Sequence, residues 1–195
     1  MHGLVNRAIQ CFVRDSYGLS RWLEVTRRAG VEVTDFEAML HYDDDITDNL
    51  IAAAKDVIGV PEETVLEDLG TYLVTHPNVE ALRRLLRFGG VDFVDFLHSL
   101  DELPDRAKLA VDDLDLPSME VRQHSTETFS LTLKGDRPGF GYVMIGILRT
   151  LADDYGALVF LEHRGAQADA EVIDITLVEQ AFASGREFEL GARAG

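Results

Sequence analysis

Two short stretches of the sequence have residue types and spacings that could bind a cofactor or a metal ion. The segment GFGYVMIG (139–146) follows a predicted strand and opens a predicted helix, as do glycine-rich loops that hold dinucleotides. Four residues rather than two separate Gly141 from Gly146, which favours turn glycines over a nucleotide loop. The run DDDITD (43–48) suggests calcium but lacks the loop glycine and closing glutamate of an EF-hand, so helix capping is the better interpretation.

The histidines and the single cysteine do not form a recognisable catalytic or metal-binding motif. The six histidines are scattered singly along the chain, at His2, His41, His76, His98, His124 and His163. The sequence contains no CxxC, HExxH or Walker motif. Cys11 falls near the apolar face of a predicted helix, where a thiol is expected to pack inertly. These residues favour a binding domain over a catalytic one.

The composition restricts the partners and the compartment. The 195 residues suffice for one domain, or one domain in two lobes. A net charge of −17 repels phosphate backbones and anionic lipid, so nucleic acid and membrane surfaces are poor partners. The single cysteine can form no intrachain disulfide, which fits a reducing compartment. No apolar run reaches the roughly 20 residues that a membrane span needs, and we read no signal-peptide pattern at the start of the sequence. We therefore expect a cytoplasmic protein.

The elements that must position any site are helices in the first half and strands in the second. Helical periodicity predicts helices over 3–16 and 20–29, one that starts at the acidic triplet 43–45 and ends at Gly59, one opened by Pro61, and two more over 79–87 and 91–103. Alternation then predicts strands in SMEVRQHS, ETFSLTLK, ALVFLEHR and AEVIDITLV, with a further candidate in REFEL, and a helix in GYVMIGILRTLADDYG. Helices followed by a mainly antiparallel sheet with a packed helix indicate an α+β fold.

The order of several motifs resembles one known family. MHGLVNRAIQCFVRDSYG, YDDDITDNLIAAAKDVIGVPEETVLEDLG, VDFVDFLHSLDEL and GDRPGF together resemble the H-NOX family, the heme nitric oxide/oxygen-binding domains related to the sensor of soluble guanylate cyclase. The resemblance covers residues 1 to about 180. It implies one domain over 1–190, with a helical lobe at 1–60, an α/β lobe at 61–190, a tail at 191–195, and heme as the cofactor between the lobes.

The resemblance also implies which residues should hold the heme, and the sequence departs from that pattern. Family members place an axial histidine at the end of LDxxH, whereas FLHSLDELPDR has Pro104 at that position, and proline has no ligand atom. The family's Tyr-x-Ser-x-Arg motif, which grips the heme propionates, reads Leu133, Gly135 and Arg137 here. Pro117 is the candidate for the proline that presses on the porphyrin. Pro104 alone can also be interpreted as a helix start.

Three further residues are pocket or ligand candidates. Val5 and Tyr142 fall at family pocket positions, and Tyr142 lies where some oxygen-binding members carry a distal tyrosine. An aromatic residue packed between helix and sheet is the competing interpretation of Tyr142. His98 is a weak metal-ligand candidate, because six residues before Pro104 on one continuous helix place it about 120° from the pocket face.

Three hypotheses follow. The leading one is a non-enzymatic sensor or signalling domain with degenerate heme ligation, which is heme-free or binds another apolar ligand. Family members usually regulate a histidine kinase or a diguanylate cyclase, so such a protein is the implied partner. The first alternative is a heme-based sensor of nitric oxide or oxygen with an unusual ligand such as His98 or Tyr142. The second is a nucleotide-binding enzyme that uses GFGYVMIG.

Overall fold

The computed structural model describes residues 1–77, 80–167 and 170–186, and these form helices followed by one sheet. The helices are α1 (Gly3–Tyr17), α2 (Leu19–Arg28), α3 (Asp44–Ile58), α4 (Glu62–Thr75), α5 (Glu80–Arg87), α6 (Phe93–His98), α7 (Leu103–Ala110) and α8 (Phe140–Tyr155). The strands are β1 (Ser118–Gln123), β2 (Thr128–Lys134), β3 (Leu158–Gln167) and β4 (Ala170–Glu179). REFEL, the further strand candidate, lies outside the described residues except for Arg186.

The strands form a four-stranded antiparallel sheet in the order β1-β2-β4-β3. Leu131 of β2 lies opposite Ile173 of β4, and Phe129 lies opposite Ile175. All four side chains are buried in the core, which also receives Leu148 of α8. Because alternate residues of a strand point to one face, a single register buries the whole apolar set. The predicted α+β class is confirmed.

A side-chain cap fixes the start of α1, and a glycine fixes the end of α3. The imidazole of His2 caps α1, its Nδ1 accepting a hydrogen bond from the backbone N–H of Leu4 at 3.1 Å. Gly59 ends α3 in the left-handed conformation (φ 82°) and donates its N–H to the carbonyl of Lys55 at 2.8 Å. The predicted helices over 3–16, over 20–29 and between the acidic triplet and Gly59 are confirmed, as is the α4 start directly after Pro61.

Two glycines allow α4 and α8 to pack in backbone contact. A Cβ atom on Gly70 would overlap the carbonyl of Val143, and one on Gly146 would overlap the carbonyl of Glu67. Neither position has room for a side chain without separating the helices. Gly146, part of the segment that suggested a nucleotide loop, therefore serves helix packing inside α8.

The segment 91–103 is not the single helix that its periodicity predicts. α6 ends at His98, a 3-10 turn covers Ser99–Glu102, and α7 begins at Leu103 with Pro104 in its first turn. Proline lacks the N–H that a continuous helix needs, whereas the first turn has no intrahelical acceptor for that N–H. Pro104 thus starts a new helix, and the prediction of one continuous helix is wrong. No helix among the described residues has the length and apolar character to cross a membrane.

Candidate functional site

A cavity of about 340 Å³ lies between the end of β2, the start of α8 and the β3–β4 hairpin. Its walls include Pro117, Leu133, Gly135, Arg137 and Glu171. Four of these five are residues that the sequence singles out, and the strand and helix ends bring them together. Pro104, His98, Val5 and Tyr142 are not among its lining residues.

Leu133 and Gly135, which stand where the family has the propionate-binding tyrosine and serine, have packing roles in this structure. Leu133 is 2% exposed and lies opposite Met119 in the β1–β2 register, so its side chain belongs to the core as well as to the cavity wall. A Cβ atom on Gly135 would lie 3.2 Å from Cβ of Pro117, closer than ordinary van der Waals contact. Glycine at this position therefore lets Pro117 sit directly against the backbone.

Arg137 is paired with carboxylates of the protein itself. Its Nη1 donates to Oδ1 of Asp48 and its Nη2 to Oδ2 of Asp44, both at 2.8 Å. Asp44 also accepts from the N-terminal ammonium of Met1 at 2.5 Å. This hydrogen bond, and then the one from Arg137, lower the pKa of the Asp44 carboxyl. The acids of α3 thus hold the N-terminus and the β2–α8 loop together.

The acidic triplet does not cap α3 in the way that the sequence suggests. Asp43 occupies the N-cap position, but its side chain makes no capping hydrogen bond. Asp44 and Asp45 lie in the first turn, where a carboxylate interacts favourably with the helix dipole. The predicted carboxylates lie next to the positive end of the helix dipole. The predicted capping hydrogen bond is wrong, because Asp43 makes none.

A buried carboxylate and a histidine, which sequence reasoning missed, lie beside the cavity. Glu171 is 5% exposed and accepts hydrogen bonds from Gly139 N–H at 2.9 Å and Gly141 N–H at 3.2 Å. Nε2 of His163 lies 2.8 Å from Glu171 Oε2. Since His163 Nδ1 accepts from Gly165 N–H at 3.1 Å, the proton is on Nε2, which donates to Glu171. Glu171 is therefore the cap that the α8 N-terminus would otherwise lack.

Tyr142 packs on this pair. Its ring is stacked on the His163 ring, with centroids 4.2 Å apart and planes at 20°. Burial, followed by the charges of Glu63 and Glu171, raises the pKa of the Tyr142 hydroxyl, so the phenol is neutral at physiological pH. The structure thus gives Tyr142 an aromatic packing role.

The remaining candidates lie elsewhere. Pro104 is half-buried in the first turn of α7. His98 is exposed, contacts Phe129 edge-to-face at 6.1 Å between centroids, and lines a different, open groove of about 710 Å³. Val5 is half-buried on α1 and packs against the core. Cys11 is half-buried as well, and burial raises the pKa of its thiol, which makes it a weak nucleophile.

The donor set does not fit heme ligation of the family type. Pro104 offers no lone pair to iron, and Leu133 and Gly135 offer no hydrogen-bond donor from a side chain to a heme carboxylate. The guanidinium of Arg137 is already paired with Asp44 and Asp48. Among residues 1–77, 80–167 and 170–186, no group of three or more histidine, cysteine or acidic side chains is arranged to hold a metal ion.

A sequence model of the Haem-NO-binding family, HNOB, matches residues 2–163. The chain belongs to this family. Soluble guanylate cyclase gcy-31 of Caenorhabditis elegans is 27% identical over 154 residues, which are 79% of this chain and 22% of that protein. Soluble guanylate cyclase 89Db of Drosophila melanogaster is 20% identical over 158 residues, 81% of this chain and 24% of the relative. The chain thus spans less than a quarter of the curated relatives it matches.

Solved H-NOX structures show the same fold. A triple mutant of an H-NOX protein from S. oneidensis in the Fe(II) ligation state superposes with a TM-score of 0.76 at 16% identity, covering 92% of this chain and 97% of that one. The Fe(II) unliganded H-NOX protein from K. algicida gives a TM-score of 0.78 at 15% identity, covering 94% and 100%. The resemblance seen in the sequence motifs is therefore confirmed for family and fold.

Proposed function

We propose that this H-NOX domain is a non-enzymatic sensor or signalling domain in which the family's heme ligation has been lost. The observation that carries the proposal is Pro104, which stands where the resemblance places the axial histidine. Its ring is built into the first turn of α7. A proline nitrogen within a peptide bond has no donor for iron, so no rotamer change supplies a ligand at this position.

The residues at the family's propionate-binding positions support the same proposal. Two of the three expected donors to heme propionates, at Leu133 and Gly135, are absent from the sequence. The third, Arg137, makes two 2.8 Å contacts with Asp44 and Asp48. A ligand carboxylate would have to displace these internal partners and restore none of the missing hydrogen bonds.

The cavity beside Leu133 is the proposed ligand site. Its volume of about 340 Å³ is at the lower end of the range of roughly 300–1,000 Å³ for small-molecule pockets. Pro117, Leu133 and Pro138 give it apolar walls, beside the charged side chains of Asp136, Arg137 and Glu171. We propose a small apolar ligand, or an empty site, with output through a signalling protein such as a histidine kinase or a diguanylate cyclase. The cytoplasm remains the proposed location.

An absorption spectrum tests the loss of heme ligation. The protein is expressed with a heme precursor, reduced, and exposed to nitric oxide, while circular dichroism verifies that it is folded. We expect no Soret band that shifts with the gas. A shifting band in the wild-type protein would contradict the proposal and support the heme-based gas sensor.

Two variants would then identify the ligand. His98→Ala removes the exposed imidazole. Tyr142→Phe removes only the hydroxyl and keeps the ring that stacks on His163. His124→Ala is the matched control, because His124 is an exposed histidine hydrogen-bonded to Ser130. Loss of the band in one variant only, with the control unchanged, would assign the iron ligand.

A further inference from the structure

One row of residues across three strands forms the floor of the cavity beside Leu133. Leu133 of β2 and Ala166 of β3 both lie opposite Glu171 of β4 in the register of the sheet. All three line the cavity, together with Pro117 and Pro138. Because directly opposed residues of neighbouring strands point to the same face of a sheet, the Glu171 carboxylate lies between two aliphatic side chains. The floor is therefore apolar apart from one buried charge at its centre.

The parts of the wall that would attract an anion already hold carboxylates of the protein. Arg137 pairs with two carboxylates of α3, at 2.8 Å each. The N-terminus of α8 carries a partial positive charge, and its Gly139 and Gly141 N–H groups donate to Glu171. An incoming anion would have to displace these internal partners.

The charge that remains towards the cavity is negative. Asp136 is exposed at the mouth and adds a second carboxylate to the lining. An ionised carboxylate has about four acceptor positions, and Glu171 uses three of them. Lys134 follows Leu133 on β2, so its side chain points to the other face of the sheet and does not offset these acids. The cavity therefore favours a positively charged group.

The lining residues favour an organic cation over a metal ion. A protein-bound metal ion takes about four to eight ligands. The described part of the chain holds no group of three or more acidic, histidine or cysteine side chains arranged for one. An ammonium group needs only hydrogen-bond acceptors, and an apolar body attached to it would rest on Pro117, Leu133 and Pro138.

We propose that the cavity beside Leu133 binds a small amphiphilic amine. Its ammonium group donates to Glu171, its apolar body contacts Leu133 and the two prolines, and Asp136 attracts the cation at the mouth. The inference rests on the proposed function, because it requires that the site holds a ligand other than heme. It names the chemical class of that ligand.

The test compares three probes of similar shape that differ in charge, namely cyclohexylamine, cyclohexanol and cyclohexanecarboxylate. The isotopically labelled full chain is titrated with each probe at neutral pH, where the amine is protonated. We expect saturable amide shifts at Gly135, Gly139 and Ala170 with the amine. The alcohol should bind at least about tenfold more weakly, because charge-assisted hydrogen bonds are stronger than neutral ones, and the carboxylate should not bind. Equal binding of amine and alcohol, tighter binding of the carboxylate, or no saturable shift with the amine would each overturn the inference.

Matched variants locate the binding. Glu171→Gln removes the buried charge and should weaken amine binding at least about tenfold. Glu162→Gln is the control, because Glu162 is an exposed acid of β3 that pairs with Arg164. Ala166→Leu fills the cavity without changing Glu171 and should abolish the shifts, so the inference stays testable if Glu171→Gln does not fold. Unchanged amine binding in the folded Glu171→Gln or Ala166→Leu variant, or equal weakening in the control, would contradict the assigned site.

The heme content of the same preparation separates this inference from the proposed function. A stoichiometric heme-to-protein ratio would contradict the proposed function. A folded, heme-free chain that does not bind the amine would contradict this inference alone.

Discussion

Replacing Glu171 with alanine should be among the most damaging single changes near the cavity. The carboxylate satisfies three donors, namely the N–H groups of Gly139 and Gly141 and Nε2 of His163. A buried donor left without an acceptor costs about 1–3 kcal/mol. Because waters can enter the 340 Å³ cavity and hydrate part of the site, we expect a loss of about 3–4 kcal/mol rather than the full sum.

The assay is urea unfolding followed by circular dichroism, which gives the free energy of unfolding for each variant. Glu171→Gln keeps one oxygen acceptor and should lose less than Glu171→Ala. Glu162→Ala is the matched control, since Glu162 lies on β3, is exposed, and pairs with the exposed Arg164 at 3.2 Å. An exposed pair of this kind contributes about 0–1 kcal/mol. A loss for Glu171→Ala no larger than that for Glu162→Ala would refute the assigned role of Glu171.

Three other predictions follow from contacts elsewhere in the domain. Gly70→Ala should destabilise the protein by about 2 kcal/mol or more in the same assay, because a Cβ atom would overlap the Val143 carbonyl, whereas a gain of stability would contradict the close helix contact. Asp44→Asn should lower the free energy of unfolding at neutral pH, and the difference from wild type should shrink as pH falls below about 4. The pKa of Asp44 is lower in the folded state than in the unfolded state, so its ionised carboxylate stabilises the fold above the unfolded-state pKa. That stabilisation is lost as pH falls through the folded-state pKa. Unfolding measured at several pH values checks this, and a difference independent of pH would be inconsistent with it. Cys11 should react with a thiol reagent more slowly than free cysteine at pH 8, because burial raises its pKa, and a faster reaction would contradict that environment.

The helices and strands could be predicted because their signals are local. The alternation in β2 predicts that Phe129, Leu131 and Leu133 share one inward face, and all three side chains are buried. The α6–α7 break was harder to predict because the apolar spacing continues through Leu97, Leu100 and Leu103, all of which are buried. The chemistry of Pro104 predicts the start of α7, but nothing in the spacing indicates the 3-10 turn at Ser99–Glu102 that divides 91–103.

The contacts of the site depend on residues that are far apart in the chain. Arg137 pairs with Asp48 although 89 positions separate them in the sequence, and no local spacing pattern predicts such a pair. The sequence does contain a signal for Glu171, because it alternates in phase with Ile173, Ile175 and Leu177 of β4. All four side chains are buried. A carboxylate at an inward position of a strand predicts a buried partner.

The most direct test of the central claim is the heme-to-protein ratio of the wild-type chain. The protein is purified from cells supplied with a heme precursor, and heme is measured by the pyridine hemochrome absorbance against protein concentration. Because Pro104 supplies no axial donor and Leu133 and Gly135 supply none to the propionates, we predict a folded protein with a ratio near zero. A stoichiometric ratio, with a spectrum typical of imidazole-ligated iron, would contradict the account.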